Sequence, residues 1–287
     1  YLKFVYQRDD ISLFYQFETD DNTDVIGTSI PDGCIDIIFH HRPDGSETDA
    51  DYYGTDLAPH SMKCYPGCVH FGVRFQPGVT PFCSSMTMGE LIDKIVPFDQ
   101  ATPRPMSSLL PKAIARCKSF RDKIDCFLRF MSDEASNLAS DDSGSEMLTY
   151  LKQSIVATRG TMRVRELAQQ VGYSVSYINK LFSGSMAISA KKFSQIVRYQ
   201  SLLNCLYTNG RLRSEPPDWG MLAQRFGYYD QSHLINSFKQ FSNRTPGAFL
   251  QELNGMGFNA RLKIEQNPEL QGCDNAPCSK TTLPSLD

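Results

Sequence analysis

Apolar and polar residues alternate strictly along V-H-F-G-V-R-F at Val69–Phe75, where Val69, Phe71, Val73 and Phe75 share one face and His70, Gly72 and Arg74 the other. A period of two predicts a strand with one face buried. Residues 14–17, 25–30 and 34–39 form further short runs rich in aromatic or β-branched residues, with Pro31-Asp32-Gly33 and Pro43-Asp44-Gly45 as turn formers between and after them. Many short strands punctuated by glycine and proline predict an antiparallel barrel or sandwich.

The period then changes. Residues 90–96 predict a short helix, and residues 109–131 an amphipathic one that starts at Leu109 and carries Leu110, Ile114, Cys117, Ile124, Phe127, Leu128 and Met131 at helical spacing. Such a stripe packs on the barrel. Residues 132–145, S-D-E-A-S-N-L-A-S-D-D-S-G-S, have almost nothing to bury and read as a linker. Helical period resumes at residue 146 through Met147, Leu148, Leu151 and Ile155. A long helix follows over residues 189–207, capped by Ser189, packed through Phe193, Val197 and Leu203, and ended by Gly210. The expected fold is multidomain α+β, with an N-terminal antiparallel β-barrel and trailing helices over residues 1–131, the linker over 132–145, an all-α unit over 146–253 and a polar tail over 254–287.

Within the all-α unit the chain repeats itself. V-R-E-L-A-Q-Q-V-G-Y-S-V-S-Y-I-N-K-L-F at residues 164–182 and M-L-A-Q-R-F-G-Y-Y-D-Q-S-H-L-I-N-S-F at 221–238 share Leu-Ala, Gly-Tyr, an aliphatic residue and a final Phe in register. Each copy reads as a helix, a glycine turn and a second helix. In the first, Val164, Leu167, Ala168, Val171, Ile178, Leu181 and Phe182 make the core, and Ser176, Tyr177, Asn179 and Lys180 point outward. In the second, Leu234, Phe238 and Phe241 share one face and Gln231, Ser232, Ile235, Asn236 and Lys239 the other. Thr245-Pro246 opens a further helix.

Composition adds little until it is divided. The 287 residues are 41% apolar, enough for a core in each of two domains, and the net charge is −3. Residues 1–145 carry 13 Lys and Arg against 22 Asp and Glu, residues 146–253 carry 13 against 6, and the tail 3 against 4. A basic segment on an acidic chain is the electrostatic footprint of nucleic-acid binding. No apolar run is long enough to span a membrane and the first residues lack an export pattern, so a cytoplasmic protein without a membrane partner is expected. Nine cysteines are read as reduced thiols.

G-Y-Y-D-Q-S-H-L, the following F-K and R-T-P-G-A-F, together with the earlier degenerate copy, resemble the signature of AraC/XylS-type bacterial transcription regulators. S-I-P-D-G-C-I-D-I-I-F and F-G-V-R-F-Q-P-G resemble the cupin-like sensor domain of one branch of that family. The resemblance implies two helix-turn-helix units that read double-stranded DNA, a small-molecule effector, a homodimer contact through the 109–131 helix and, for an activator, RNA polymerase as partner. It matches Ser176, Asn179 and Lys180, and Ser232, Ile235 and Asn236, to base-reading positions, with Gln231 beside them. Asparagine addresses adenine bidentately, lysine guanine or a phosphate, and isoleucine a thymine methyl. Arg163, Arg165, Lys239 and Arg244 read as phosphate clamps, and His233 and Trp219 as packing residues.

Chemistry in the N-terminal part is sparser. Asp36 is expected on a strand face, as are His70 and Arg74, and these three are the candidate polar groups of an effector pocket. His60, Cys64, Cys68 and His70 have metal-ligand residue types without the short CxxC spacing of a zinc site, so no metal and no cofactor are expected. A metal- or thiol-responsive regulator using those four is the alternative, and a cupin-type enzyme with a DNA-binding anchor a weaker one. No nucleophile elbow, phosphate loop or HExxH motif occurs, and the chain is read as a non-enzyme.

Overall fold

The computed structural model describes residues 2–5, 10–22, 25–46, 48–82, 85–135, 143–210, 217–255 and 263–266. In chain order the first elements are β1 (Leu2–Val5), β2 (Ile11–Glu18), β3 (Val25–Ser29), β4 (Asp36–His41), β5 (Thr48–Tyr53), β6 (His60–Lys63) and β7 (Val69–Phe75). Then come α1 (Met88–Leu91), β8 (Ile95–Pro97), α2 (Phe98–Ala101), α3 (Met106–Arg116) and α4 (Phe120–Ala135). The remainder comprises α5 (Ser143–Ala157), α6 (Val164–Val171), α7 (Val175–Met186), α8 (Ala190–Gly210), α9 (Trp219–Arg225), α10 (Gln231–Ser242), α11 (Pro246–Gly255) and β9 (Lys263–Gln266).

The sheet runs β8-β5-β4-β7-β2-β1-β9, antiparallel through its first six strands, with β9 parallel on the β1 edge. β3 and β6 pair only with each other. The expected closed barrel is therefore corrected to an open sheet with a separate two-stranded piece. Helices take the place of the missing wall. Phe14, Ile37, Phe39, Tyr52, Phe71 and Val73 on one sheet face pack with Leu110, Ile114, Ile124 and Phe127 of α3 and α4 in one core.

The single helix expected over residues 109–131 is two. Cys117 ends α3 in an extended conformation, and Ser119 and Asp122 exchange side-chain to backbone hydrogen bonds, each 3.1 Å, that start α4. The apolar stripe packs on the sheet, and Leu109 at its start is exposed. α4 also carries the buried Lys123, whose Nζ donates to Gln16 Oε1 at 2.8 Å and to His41 Nε2 at 2.9 Å. Burial pulls that amine down to about 8. Residues 90–96, expected as a helix, divide between α1 and the edge strand β8.

A second core gathers α5 to α11 around α8, with Phe193, Ile196, Tyr199, Leu202, Leu203 and Leu206 buried along its length. Ser189 caps it, its Oγ accepting from Lys192 N at 3.1 Å. The pairs α6–α7 and α9–α10 flank it. Arg198, midway along α8, donates through Nε and Nη2 to Gly160 O at 3.1 and 2.7 Å and through Nη1 to Gly227 O at 3.0 Å. One guanidinium thus holds the turn before the first pair and the turn within the second. Arg198→Met should lower stability by about 3 kcal/mol, measured by chemical denaturation, because a charged donor is lost and two carbonyls lose their partner.

Candidate nucleic-acid interface and sensor recess

Both second helices begin on a side-chain cap. Ser174 Oγ accepts from Tyr177 N at 3.1 Å to start α7, and Asp230 Oδ1 accepts from His233 N at 2.7 Å to start α10. Aligning the caps pairs Ser176 with Ser232, Asn179 with Ile235 and Lys180 with Asn236. The glycine turns do not align. Gly172 lies two residues before its cap and Gly227 three before, so Tyr228 is buried in the core while Tyr173 is exposed. This corrects the uniform register expected of the repeat. Tyr173 instead stacks on Tyr177 with centroids 4.7 Å apart.

Ser176 and Lys180 are exposed on α7, and Gln231, Ser232, Asn236 and Lys239 on α10. Asn179 is half-buried, and its Oδ1 accepts from Ala190 N at 3.2 Å, at the start of α8. Bidentate reading of adenine needs the amide oxygen as well as the nitrogen, so in this arrangement Asn179 joins helices rather than meeting a base. Ile235 is half-buried against the core. Arg163 and Arg165 are exposed at the start of α6, and Arg244 is half-buried after α10. His233 Nδ1 accepts from Tyr229 N at 3.2 Å, a turn-stabilising role, and Trp219 packs on the helical core.

On the sheet face opposite α3 and α4, β4 and β7 pair Asp36 with Arg74, Ile38 with Gly72 and His40 with His70. Arg74 Nε and Nη2 donate to the two oxygens of Asp36 at 2.8 Å each, and Nη1 donates to Asp32 Oδ2 at 2.8 Å. Tyr15 OH donates to Asp36 Oδ2 at 2.9 Å. Its ring lies across Gly72, where any Cβ would fall inside it. Asp32 was not among the expected pocket residues, because the turn signal of P-D-G hid its second role. Burial pushes its carboxyl up, against the pull of Arg74.

These groups line a recess of about 420 Å³ that includes its open mouth, with Tyr53, Met62 and Lys94. Its enclosed part holds no more than about one water. Asp36 and Arg74 meet there. His70 does not, lying buried two residue pairs away with its ring nitrogens engaged by His40, Tyr65 and Thr19. Among the described residues no three His, Cys, Asp or Glu side chains converge to hold a metal ion. None of the described helices is long and apolar enough to cross a membrane.

The recess abuts the helical unit. Gln200 Nε2 of α8 donates to Pro31 O at 2.6 Å, Lys152 Nζ of α5 to Pro77 O at 2.9 Å, and Gly33, at φ +79°, faces the Phe193 ring. None of these contacts had a signal in the sequence.

Residues 8–97 match a family model described as a domain of unknown function, DUF6597. No curated protein matches the chain. Among solved structures it is similar to an apo point variant of ToxT from Vibrio cholerae, at 11% identity and a TM-score of 0.40 over 86% of this chain and 98% of that one. ToxT from the same organism with bound unsaturated fatty acid gives 12% and 0.38 over 88% and 98%. The C-terminal domain of AraT, a response regulator from Geobacillus stearothermophilus, gives 16% and 0.33 over 39% and 88%. Likeness at this level assigns no function.

Arg74→Met leaves two buried carboxylates without their cation and should cost about 3–5 kcal/mol of stability. Adding Asp36→Asn should cost less than the sum of the two single changes, and a double-mutant cycle on unfolding free energies measures that coupling.

Proposed function

We propose that this chain is a sequence-specific DNA-binding transcription regulator of AraC/XylS type, in which residues 1–131 sense a small effector, 132–145 link, and 146–253 bind DNA through two helix-turn-helix units. The observation that carries the reading is a pair of capped helices, α7 and α10, fixed to one helix and presenting small and amide side chains outward from a segment with 13 basic against 6 acidic residues. Rigidly joined recognition helices suit successive major-groove segments about 34 Å apart on one face of the duplex.

Ser176 and Lys180 read bases in the first segment, and Gln231, Ser232 and Asn236 in the second. Ile235 offers a thymine methyl contact from its half-buried position, and Asn179 supports α7 from behind. Arg163, Arg165, Lys239 and Arg244 take phosphates, which position without specifying. The effector enters at Asp36 and Arg74. With room for about one water, the recess admits a metabolite only if the Asp32 loop gives way, and Pro31 and Gly33 carry that movement to α8. Control then rests on the effector's differential affinity for the DNA-competent arrangement.

Selection of bound sites from random duplex DNA should recover two boxes one helical turn apart, and the absence of any enriched motif would sink the reading. On the recovered site, Asn236→Ala should cost about 1–3 kcal/mol and relax choice at one position, while Lys239→Ala should weaken all sequences alike and reduce the salt slope by about 1. Asn179→Ala should lower stability more than it alters sequence choice, compared by thermal unfolding and repeat selection.

A further inference from the structure

At the far end of the strand pair from Asp36 and Arg74, His40 and His70 face each other across β4 and β7, with Nδ1 to Nδ1 2.8 Å apart and both residues buried. Two lone pairs cannot meet at that distance. His70 Nε2 lies 3.0 Å from Tyr65 O, which only accepts, and so carries a hydrogen. Thr19 Oγ1, 3.2 Å from the same nitrogen, donates its own hydrogen to Tyr65 O at 2.7 Å and is an acceptor here too. His70, with its single hydrogen on Nε2, leaves Nδ1 bare. On the other ring, His40 Nε2 lies 3.1 Å from Asp51 Oδ2, which also accepts from Tyr65 OH at 3.1 Å. A hydrogen is needed there and another between the two Nδ1 atoms. Three hydrogens on two imidazoles make one positive charge. Asp51 Oδ2 also accepts from Tyr65 OH, a role that suits a carboxylate oxygen rather than a protonated one, so the extra proton is placed on His40.

We propose that His40 and His70 form a buried proton-binding site, in which the His40 imidazolium donates through Nδ1 to neutral His70 and through Nε2 to the Asp51 carboxylate. The surroundings fit one trapped charge. Tyr65 packs its ring 4.5 Å from His40, and Phe17 stacks on His70 at 4.6 Å. Burial, then the charge of His40, holds His70 down to about 3. The other titratable groups around the pair are Asp49 and Tyr53 on β5, Asp36 and His41 on β4, and Cys64 and Cys68 flanking Tyr65. Arg42 and Asp21 pair at the rim. None of these lies between the two rings in the hydrogen-bond pattern.

The folded pair holds one proton, whereas two unfolded histidines hold two below about pH 6.5 and none above it. The sign of the linkage therefore reverses. Below that pH the unfolded state binds more protons, and the pair's contribution to stability falls as pH falls. Above it the folded state binds more, and the contribution falls as pH rises. The contribution peaks near pH 6.5 and changes the folding equilibrium about tenfold per pH unit on either side. Lys3 and Lys123, each lowered to about 8 by burial, act in the opposite direction at higher pH, so the comparison is between parent and variant.

The test is urea unfolding of the full chain from pH 5 to 8, parent against His40→Gln, with ring 15N spectra of the parent's five histidines. The parent-minus-variant difference should be level below about pH 6.5 and fall about tenfold per pH unit above it, because the variant keeps His70, which is neutral when folded and takes up a proton on unfolding at low pH. The spectra should show one doubly protonated ring at pH 7.5, coupled through Nδ1 to a neutral ring protonated at Nε2. Five neutral rings at that pH, or a flat difference profile, would overturn the proposal. So would a stoichiometric metal ion whose removal by chelation alters the spectra of these two rings. The spectra need no variant, and decide the matter even if His40→Gln does not fold.

Discussion

The fork of Arg198 onto Gly160 and Gly227 is the interaction on which the helical unit depends. Small helix pairs have little core of their own. α6 has eight residues and α9 seven, and each packs on its own partner, α7 or α10, in the core that α8 runs through. Hydrophobic contact is tolerant of small rotations, because apolar side chains slide at little cost. Hydrogen bonds from one planar guanidinium to two turns are not tolerant, and they fix how far one pair is turned from the other.

The sheet half follows a different economy. One sheet face is apolar and closed by α3 and α4, while the opposite face carries charge in two compact clusters, Asp32-Asp36-Arg74 and Asp51-His40-His70. Buried charge is costly unless every donor finds an acceptor. Register makes this possible: β4 and β7 bring the complementary residues opposite each other at both ends, and Tyr15 lying over Gly72 separates the clusters. Each cluster is internally satisfied in hydrogen bonds. Either one therefore resists partial change and yields, if at all, as a unit.

Alternation at Val69–Phe75 was legible because one face is wholly apolar and packs in the core under α3 and α4, but the polar face, expected outside, is covered too, with His70 and Gly72 buried. β5, T-D-A-D-Y-Y, was not recognised, because its polar positions are aspartates, of which Asp49 is exposed while Asp51 is buried with no signal for it in the pattern. Barrel closure was not legible either, since strand count does not say whether a second sheet or a pair of helices covers the apolar face. In the helical unit the repeat located both helix pairs, yet one extra residue between Gly227 and Asp230 moved Tyr228 into the core and left its counterpart Tyr173 outside. Asn179 illustrates the same limit. Spacing places it outward on α7, whereas it is half-buried, because the amide it accepts from belongs to a helix that starts eleven residues later.

The contacts between the two halves run through the same turn that lines the recess. Asp32 belongs at once to the Arg74 ion pair and to the turn whose Pro31 carbonyl is held by Gln200. Anything that competes for Arg74 must detach Asp32, and the backbone that follows is the backbone touching α8. The buried charge of the sheet and the helix that joins both helix pairs are separated by a single turn, Pro31-Asp32-Gly33. The Arg74–Asp32 pair and the turn held against α8 are thus parts of one structural unit.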